Sequence, residues 1–467
     1  MKKQKFLTIF AALISTVLLA VQCIAQKSSN DDWEILFNGK DLSGWKDLNG
    51  KHKWEARDGM IIGTFVKGQP NGFLCTEKDF SDFIFECEVS IDTLMNNSGV
   101  QFRSLATPDY QEQRIKFPEG RVHGYQMEVD PKPQKWSGSI YEEGGNRAWL
   151  YVTAELNQAA QKAFKKTQWN KYRIECIGTS MRTWINGVPT SNLEDAKFPK
   201  GFFGLQLHAN QPGDPEGAFQ VRFRNLRVQI TNMKFSPLDD IFVVNTIPNN
   251  LSLQEKKNGY SLLWDGKTTG GWRAAYKSKF PEKGWEIKDG ELTVVPTVGQ
   301  GSNKNEHIVT KKQYGAFELK FDFKLTEGAN SGVKYFVTDA DESKGSAAAS
   351  LEYQLVDDAK INPADVTRTL GSLADVKAAT KARGSSKRMG EWNQGVIRVL
   401  PSGLVQYWLN GYKVLEYQRG SAELADLVAK SKYKDLPAFG KAPKGNILLE
   451  NNGSSVSYRS LKIRELK

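Results

Sequence analysis

The sequence predicts an all-β protein made of two tandem two-sheet sandwiches of the jelly-roll kind, and three observations carry that prediction. One ordered set of markers occurs twice. Phe37-Asn38-Gly39-Lys40-Asp41-Leu42-Ser43-Gly44-Trp45 returns as Trp264-Asp265-Gly266-Lys267-Thr268-Thr269-Gly270-Gly271-Trp272, Asn97-Ser98-Gly99-Val100 as Asn330-Ser331-Gly332-Val333, and Trp184-Ile185-Asn186-Gly187 as Trp408-Leu409-Asn410-Gly411. A period of about two hundred residues is too long for a solenoid and fits a duplicated domain. Within each copy, segments such as Phe83-Ile84-Phe85-Glu86-Cys87-Glu88-Val89 and Phe317-Glu318-Leu319-Lys320-Phe321-Asp322-Phe323 alternate with period two. Asn-Gly and Asp-Gly pairs at 38–39, 58–59, 186–187, 265–266 and 289–290 punctuate them, which is the signature of antiparallel strands joined by tight turns.

Taken in order, the chain opens with Lys2, Lys3 and Lys5, an apolar run from Phe6 to Val21, and Cys23-Ile24-Ala25. This reads as a signal peptide over residues 1–25 and predicts an exported, periplasmic protein. The alternative is lipid attachment at Cys23, disfavoured because Gln22 is larger than the small residue such processing prefers. No later stretch approaches the ~20 apolar residues of a membrane helix. The first domain is expected over 32–230. A Pro- and Asn-containing linker that partly docks is expected over 231–258, and the second domain over 259–467. A helix from Ser421 to about Lys432 has a serine start and Leu424, Leu427 and Val428 on one side. A polar, Ala-rich insertion, Pro363 to Gly390, is expected as a loop over one end of the second sandwich.

Composition excludes several classes. After signal removal Cys75, Cys87 and Cys176 remain, which is neither a disulfide framework nor a metal-binding spacing. The net charge of +11 is dispersed among 53 acidic residues with no aromatic-interleaved basic stripe, so no nucleic-acid partner is expected. Oligomeric state has no signal in the sequence.

Alternate side chains of a half-buried strand share a face. Val100 and Phe102 then oppose Gln101 and Arg103; Tyr125, Met127 and Val129 oppose Gln126, Glu128 and Asp130; Phe203, Leu205 and Leu207 oppose Gln206 and His208. Such a polar face, with Trp136 or Trp149 nearby, has the donors, acceptors and aromatic rings that a sugar site needs. Antiparallel sheets often leave one face polar in any case. Histidine scarcity favours the functional reading, since two of only four histidines, His123 and His208, lie in or beside these strands. In the second copy Arg103 becomes Phe336 and His208 becomes Asn452, while Glu352, Gln354 and Glu450 persist, so the first domain is expected to carry chemistry and the second to bind.

The ordered motifs Phe37-Asn38-Gly39-Lys40-Asp41-Leu42-x-Gly44-Trp45, Asn97-Ser98-Gly99-x-x-Phe102-Arg103, Gly124-Tyr125-Gln126-Met127-Glu128, Gly138-Ser139-Ile140-Tyr141, Trp169-Asn170, Asn186-Gly187, Gly204-Leu205-Gln206-x-His208 and Val221-x-Phe223-Arg224-Asn225-Leu226 resemble the 3-keto-disaccharide hydrolase family. The resemblance implies a concanavalin A-like, lectin/glucanase jelly roll and cleavage of 3-keto-glycosides. A ketone at C3 acidifies the C2 proton, so a base can remove it and expel the C1 oxygen; water can then add back. Under that chemistry His208 or Glu128 is the base, Arg103 with Gln206 stabilises the enolate and His123 is the acid. Asn97, Gln126, Asp130 and Trp149, with Glu352, Gln354 and Glu450 of the second copy, are expected to bind substrate. The sequence identifies no certain cofactor; a divalent metal held among His123, Glu128, Asp130 and His208 could replace the enolate donors. The rival reading is a carbohydrate-binding protein without catalysis. Glu128-Val129-Asp130 matches half of the glucanase E-x-D-x-x-E signature, but Pro133 stands where its second glutamate belongs, so a paired-carboxylate mechanism is unsupported.

Overall fold

Four hairpins of the computed structural model turn on dipeptides in the left-handed region: Asp58-Gly59, Asn186-Gly187, Asp289-Gly290 and Asn410-Gly411 all have φ between 49° and 85°. Both central residues at positive φ make the two-residue turn that matches strand twist, and Asn, Asp and Gly tolerate it best. The pairs at 38–39 and 265–266 behave differently. Asn38 Oδ1 accepts from the amides of Lys40 (2.8 Å) and Asp41 (3.0 Å), and Asp265 Oδ1 from those of Lys267 (2.8 Å) and Thr268 (2.7 Å). They are side-chain-closed turns outside any hairpin. The structure describes residues 32–92, 96–108, 110, 117–209, 219–296, 306–338, 349–382 and 385–467; the expected signal peptide and Cys23 lie outside the described residues.

Each copy is a two-sheet jelly-roll sandwich. In the first, a seven-stranded sheet contains β1 (Trp45–Asn49), β2 (Gly72–Thr76), β3 (Ser98–Thr107), β4 (Arg121–Val129), β5 (Ile140–Glu143), β6 (Trp149–Tyr151) and β7 (Phe202–Leu207), in the order β6-β5-β4-β3-β7-β2-β1. It faces a nine-stranded sheet centred on Phe83–Ile91. In the second, β8 (Trp272–Ala274), β9 (Ile308–Thr310), β10 (Asn330–Val337), β11 (Leu351–Val356) and β12 (Asn446–Leu449) are ordered β11-β10-β12-β9-β8, the same path as β4-β3-β7-β2-β1. Its facing sheet has eight strands around Phe317–Leu325. Val100, Phe102, Tyr125, Met127 and Leu205 meet Phe85, Val89 and Tyr172 in one core, and Val333, Tyr335, Tyr353 and Leu449 meet Phe321 and Ile397 in the other.

The duplicated Asn-Ser-Gly motif now has a cause. Ser98 Oγ donates to the Gln206 carbonyl (2.7 Å) and Ser331 Oγ to that of Glu450 (3.0 Å), pinning β3 to β7 and β10 to β12. A Cβ at Gly99 would lie 2.3 Å from Gln126 Cδ, and one at Gly332 2.3 Å from Glu352 Oε1. The glycine leaves room for the polar side chain across the strand pair.

One expectation about a connection is corrected. The insertion from Pro363 does not run over one end. Gly371 N donates to Gln354 O (2.9 Å) and Gln354 N to Ser372 O (3.1 Å), as Gly138 N does to Glu128 O and Glu128 N to Ser139 O (both 3.0 Å). The segment therefore edges the sheet where β5 does in the first copy. The helix is Ala422–Ala429, with Ser421 Oγ accepting from Leu424 N (3.1 Å).

The linker is a packed part of the fold rather than a tether. Val244–Asn245 pairs in parallel with Val188–Glu194. Ser252 and Glu255 form a capping box on the helix Leu253–Lys257. Glu255 is then buried against Lys462 (3.1 Å) and Lys320 (3.4 Å) of the second domain, while Lys320 Nζ donates to the Val243 carbonyl (2.8 Å). Burial pulls the Lys320 ammonium down to about 8, and the two lysines hold the Glu255 carboxyl below its ordinary value despite burial. Glu255→Gln strands two buried ammonium groups and is expected to cost about 3–5 kcal/mol. Chemical denaturation of the full chain checks this, and a loss below about 1 kcal/mol would count against the cluster as a domain clamp.

Candidate functional site on the seven-stranded sheet

Because Val100, Phe102, Tyr125, Met127 and Leu205 are committed to the core, their strand neighbours Gln101, Gln126, Glu128 and Gln206 emerge together on the outer face. They form a directional hydrogen-bond chain. Ser104 Oγ donates to Gln101 Oε1 (2.8 Å), Gln101 Nε2 to Gln126 Oε1, and Gln126 Nε2 to Glu128 Oε1 (2.6 Å). Glu128 Oε2 has no hydrogen-bond partner among the described residues, nor do Gln206 Oε1 and Asn97 Oδ1. Glu128 is 3% exposed. Burial, reinforced by Asp130 and Glu143, pushes its carboxyl up to about 8 against the Gln126 hydrogen bond, so it holds a proton at neutral pH.

A second group joins from β5. Glu143 pairs with Arg121 and also accepts from Gln206 Nε2 (3.2 Å) and Asn71 Nδ2 (3.3 Å). Burial, with the charges of Glu143 and Glu128 added to it, pushes the phenol of Tyr141, two residues before Glu143, up to about 12. Trp149 packs edge-on to Tyr141 (5.1 Å between centroids) and against Trp136 (4.5 Å) at the sheet edge. Gln101 was placed on the polar face by the sequence but given no role there, and Arg121, Tyr141 and Glu143 were missed. The signal for the last two was present, since β5 alternates core-facing Ile140 with Tyr141 and Glu143.

The structure brings some expected residues together and separates others. Glu128, Gln126 and Gln206 converge, and Asn97 precedes β3 in register with Gly99 and Gln101. Asp130 is half committed to its loop, accepting from Lys132 N (3.0 Å) and Gln134 Nε2 (2.9 Å). His208 is half-buried, with Nδ1 2.7 Å from the Ala209 carbonyl, and lies within electrostatic reach of Asp130 and His52.

Arg103 is not at the site. It sits at a β-bulge with φ 48°, where the register of β3 against β4 shifts between Phe102 and Leu105. A bulge breaks alternation, so the side chain turns into the sandwich. Its guanidinium donates to the carbonyls of Ser81 (2.7 Å) and Gly178 (2.8 Å) and to Asp82 (3.1 Å). Phe336, at φ 61°, occupies the same bulge in the second copy and stacks on Arg419 (4.0 Å). The Arg103-to-Phe336 difference is therefore a change of structural pin. His123 is also elsewhere: it stacks on Tyr110 (3.6 Å), packs against Phe198 beside Tyr125, and places Nδ1 2.8 Å from the Arg121 carbonyl. With His123 apart from Glu128, the four-ligand metal set does not assemble; among the described residues no three His, Cys, Asp or Glu side chains are placed to hold a metal.

On the matching face of the second domain, Lys334 replaces Gln101, Glu352 replaces Gln126, Gln354 replaces Glu128 and Glu450 replaces Gln206. Lys334 pairs with Glu450 (2.7 Å) and Glu352 (3.6 Å), Asn452 Nδ2 donates to Glu450 (2.9 Å), and Gln354 Nε2 bonds Asn330 Oδ1 (3.0 Å). Burial and Glu450 push Glu352 up, while Lys334 holds Glu450 down. Each expected binding group is already engaged by its neighbours.

Comparison with known proteins agrees with the duplication. Residues 32–229 and 259–464 each match the family model of the 3-keto-alpha-glucoside-1,2-lyase-like domain. A 3-keto-disaccharide hydrolase of Bacteroides thetaiotaomicron is 29% identical over 243 residues, spanning 47% of this chain and 82% of that protein. A solved structure from Parabacteroides distasonis, described there as a candidate glycosyl hydrolase, is 28% identical over 47% of this chain and 100% of its own, with a TM-score of 0.42.

Protonation of Glu128 makes a testable statement about stability. Between the ordinary carboxylate value of 4.5 and about 8, the folded chain keeps a proton that the unfolded chain releases, so this group's contribution falls as pH rises through that window. Glu128→Gln removes the titration. Its melting temperature is expected to match wild type near pH 5 and to exceed it at pH 9; parallel pH profiles would show that Glu128 is not buried as a protonated acid.

Proposed function

Because the chain belongs to the 3-keto-alpha-glucoside-1,2-lyase-like family through both of its domains, we propose that it is an exported enzyme that cleaves 3-keto-glycosides by C2 proton abstraction and elimination. The observation that carries this reading is a buried carboxylic acid, Glu128, with one oxygen free of hydrogen-bond partners among the described residues, on an amide-lined sheet face. A group with a value near 8 is suited to hold a proton at neutral pH and give it to a leaving oxygen.

In the proposed reaction His208 takes the C2 proton, the electron pair forms the C1=C2 double bond, and the C1–O bond breaks with Glu128 protonating the departing oxygen. The charge that develops on the C3 oxygen is met by Arg121 and the Gln206 amide, in place of the role first assigned to Arg103. Water adding across the double bond completes hydrolysis, and release before that step makes the same site a lyase. The second domain, whose matching face is closed by Lys334, is assigned an accessory role rather than chemistry. Carbohydrate-active function at the level of a glycoside hydrolase is also what the relatives' names carry.

Turnover is expected for a 3-keto-glycoside and not for its unoxidised parent, because the C2 proton of an ordinary sugar is too weakly acidic for a side-chain base. Equal rates, followed by release of the aglycone, would sink the elimination mechanism. His208→Asn, which copies the second domain, should lower kcat by at least a hundredfold with the circular dichroism spectrum unchanged. Wild-type kcat in that variant would remove His208 from the reaction.

A further inference from the structure

Between the two domains lies a cavity of about 400 Å³, walled by Trp149, Leu150 and Leu156 of the first domain and by Lys387, Trp392 and Gln394 of the second. That volume is within the ~300–1,000 Å³ of small-molecule sites, and convergence of two domains is a common place for one. The Glu255 cluster and the parallel pairing of Val244–Asn245 hold the walls together, so the cavity is a fixed feature of the seam.

Its chemistry is mixed in a specific way. The first domain's side carries Trp149, Leu150 and Leu156 beside Arg147, whose guanidinium is held by Glu142 and Asp195. The second domain's side carries Trp392, Gln394, whose Nε2 reaches Asp322 at 3.5 Å, Arg459, which pairs with Asp322 (3.4 Å) and lies over the Trp392 ring (4.0 Å), and Lys387, which crosses the seam to the Arg147 carbonyl (3.1 Å). Two tryptophans interleaved with an amide, an ammonium and a guanidinium suit a polyhydroxylated ring, which presents apolar C–H faces and equatorial hydroxyls together.

The cavity also adjoins the site described above. Trp149 lines it and pairs in register with Tyr141, whose ring is 5.1 Å away, and Tyr141 lies within electrostatic reach of Glu143 and Glu128. A single aromatic step separates the seam from the reacting face. We propose that the interdomain cavity is a distal saccharide subsite, so that the substrate is an oligosaccharide whose leaving portion extends from the Glu128 face into the seam and is gripped by the second domain. This rests on the functional reading above and names its substrate class.

The test uses the full chain and Trp392→Ala and Gln394→Ala, neither of which belongs to the proton-transfer machinery. Two assays separate the claims. In the first, 3-keto derivatives of p-nitrophenyl glucoside and of maltotriose, cellotriose and laminaritriose are turned over. Each variant should raise KM about tenfold for the trisaccharide derivative that is used and leave the p-nitrophenyl substrate unchanged. In the second, the unoxidised trisaccharides are titrated by calorimetry, a readout independent of catalysis, and the same variants should weaken the Kd about tenfold. If no 3-keto substrate is turned over but trisaccharide binding is lost in both variants, the functional reading fails and the subsite stands. If both substrates are affected equally, or if neither KM nor Kd moves in Gln394→Ala with an unchanged melting temperature, the subsite is overturned.

Discussion

The outer face of the seven-stranded sheet depends on one constraint, the period-two alternation of its three central strands. Val100, Phe102, Tyr125, Met127 and Leu205 must point inward to complete the first core, so Gln101, Gln126, Glu128 and Gln206 have no choice but to share the other side. Burying the amides is tolerable because each donates onward, from Ser104 through Gln101 and Gln126 to Glu128. The end of that chain is a carboxyl with one satisfied oxygen, and burial there favours the protonated form. Packing on one face thus sets acid–base chemistry on the other.

Duplication explains which residues are scaffold. Ser98 and Ser331 make the same hydrogen bond, Gly99 and Gly332 leave room for the same cross-strand side chain, and Arg103 and Phe336 occupy the same left-handed bulge. Divergence falls on the polar outer face instead. There the second domain introduces Lys334, which pairs closely with Glu450, reaches Glu352 and closes the network on itself. The first domain leaves its acid open and adds β5 with Tyr141 and Glu143. Two copies of one fold have been driven apart by changing charges at positions the core does not control.

The seam gives the pair a common framework. Glu255 sits on a linker helix yet is neutralised by Lys320 and Lys462 of the second domain, while the linker strand completes a sheet of the first. Ions in such a place are costly to desolvate and tolerable only when fully paired, so the geometry is fixed by the same requirement that makes it stable. No helix among the described residues is long and apolar enough to cross a membrane.

Sequence by itself determined the all-β class, the duplication, the hairpins at Asp58-Gly59, Asn186-Gly187 and Asp289-Gly290, and the partition of β3, β4 and β7 into core and polar faces, because those follow from local turn chemistry and a strict period of two. It placed Glu128, Gln126 and Gln206 on one face for the same reason. Only the tertiary structure decided that Arg103 turns inward, since a bulge reverses the face and leaves no mark in the residue pattern. Only it brought Arg121 and Glu143 to Gln206, and made the stretch 231–258 a clamp, because those contacts join segments far apart in the chain. Alternation is a property of neighbours; charge pairing across the fold is a property of the closed sandwich.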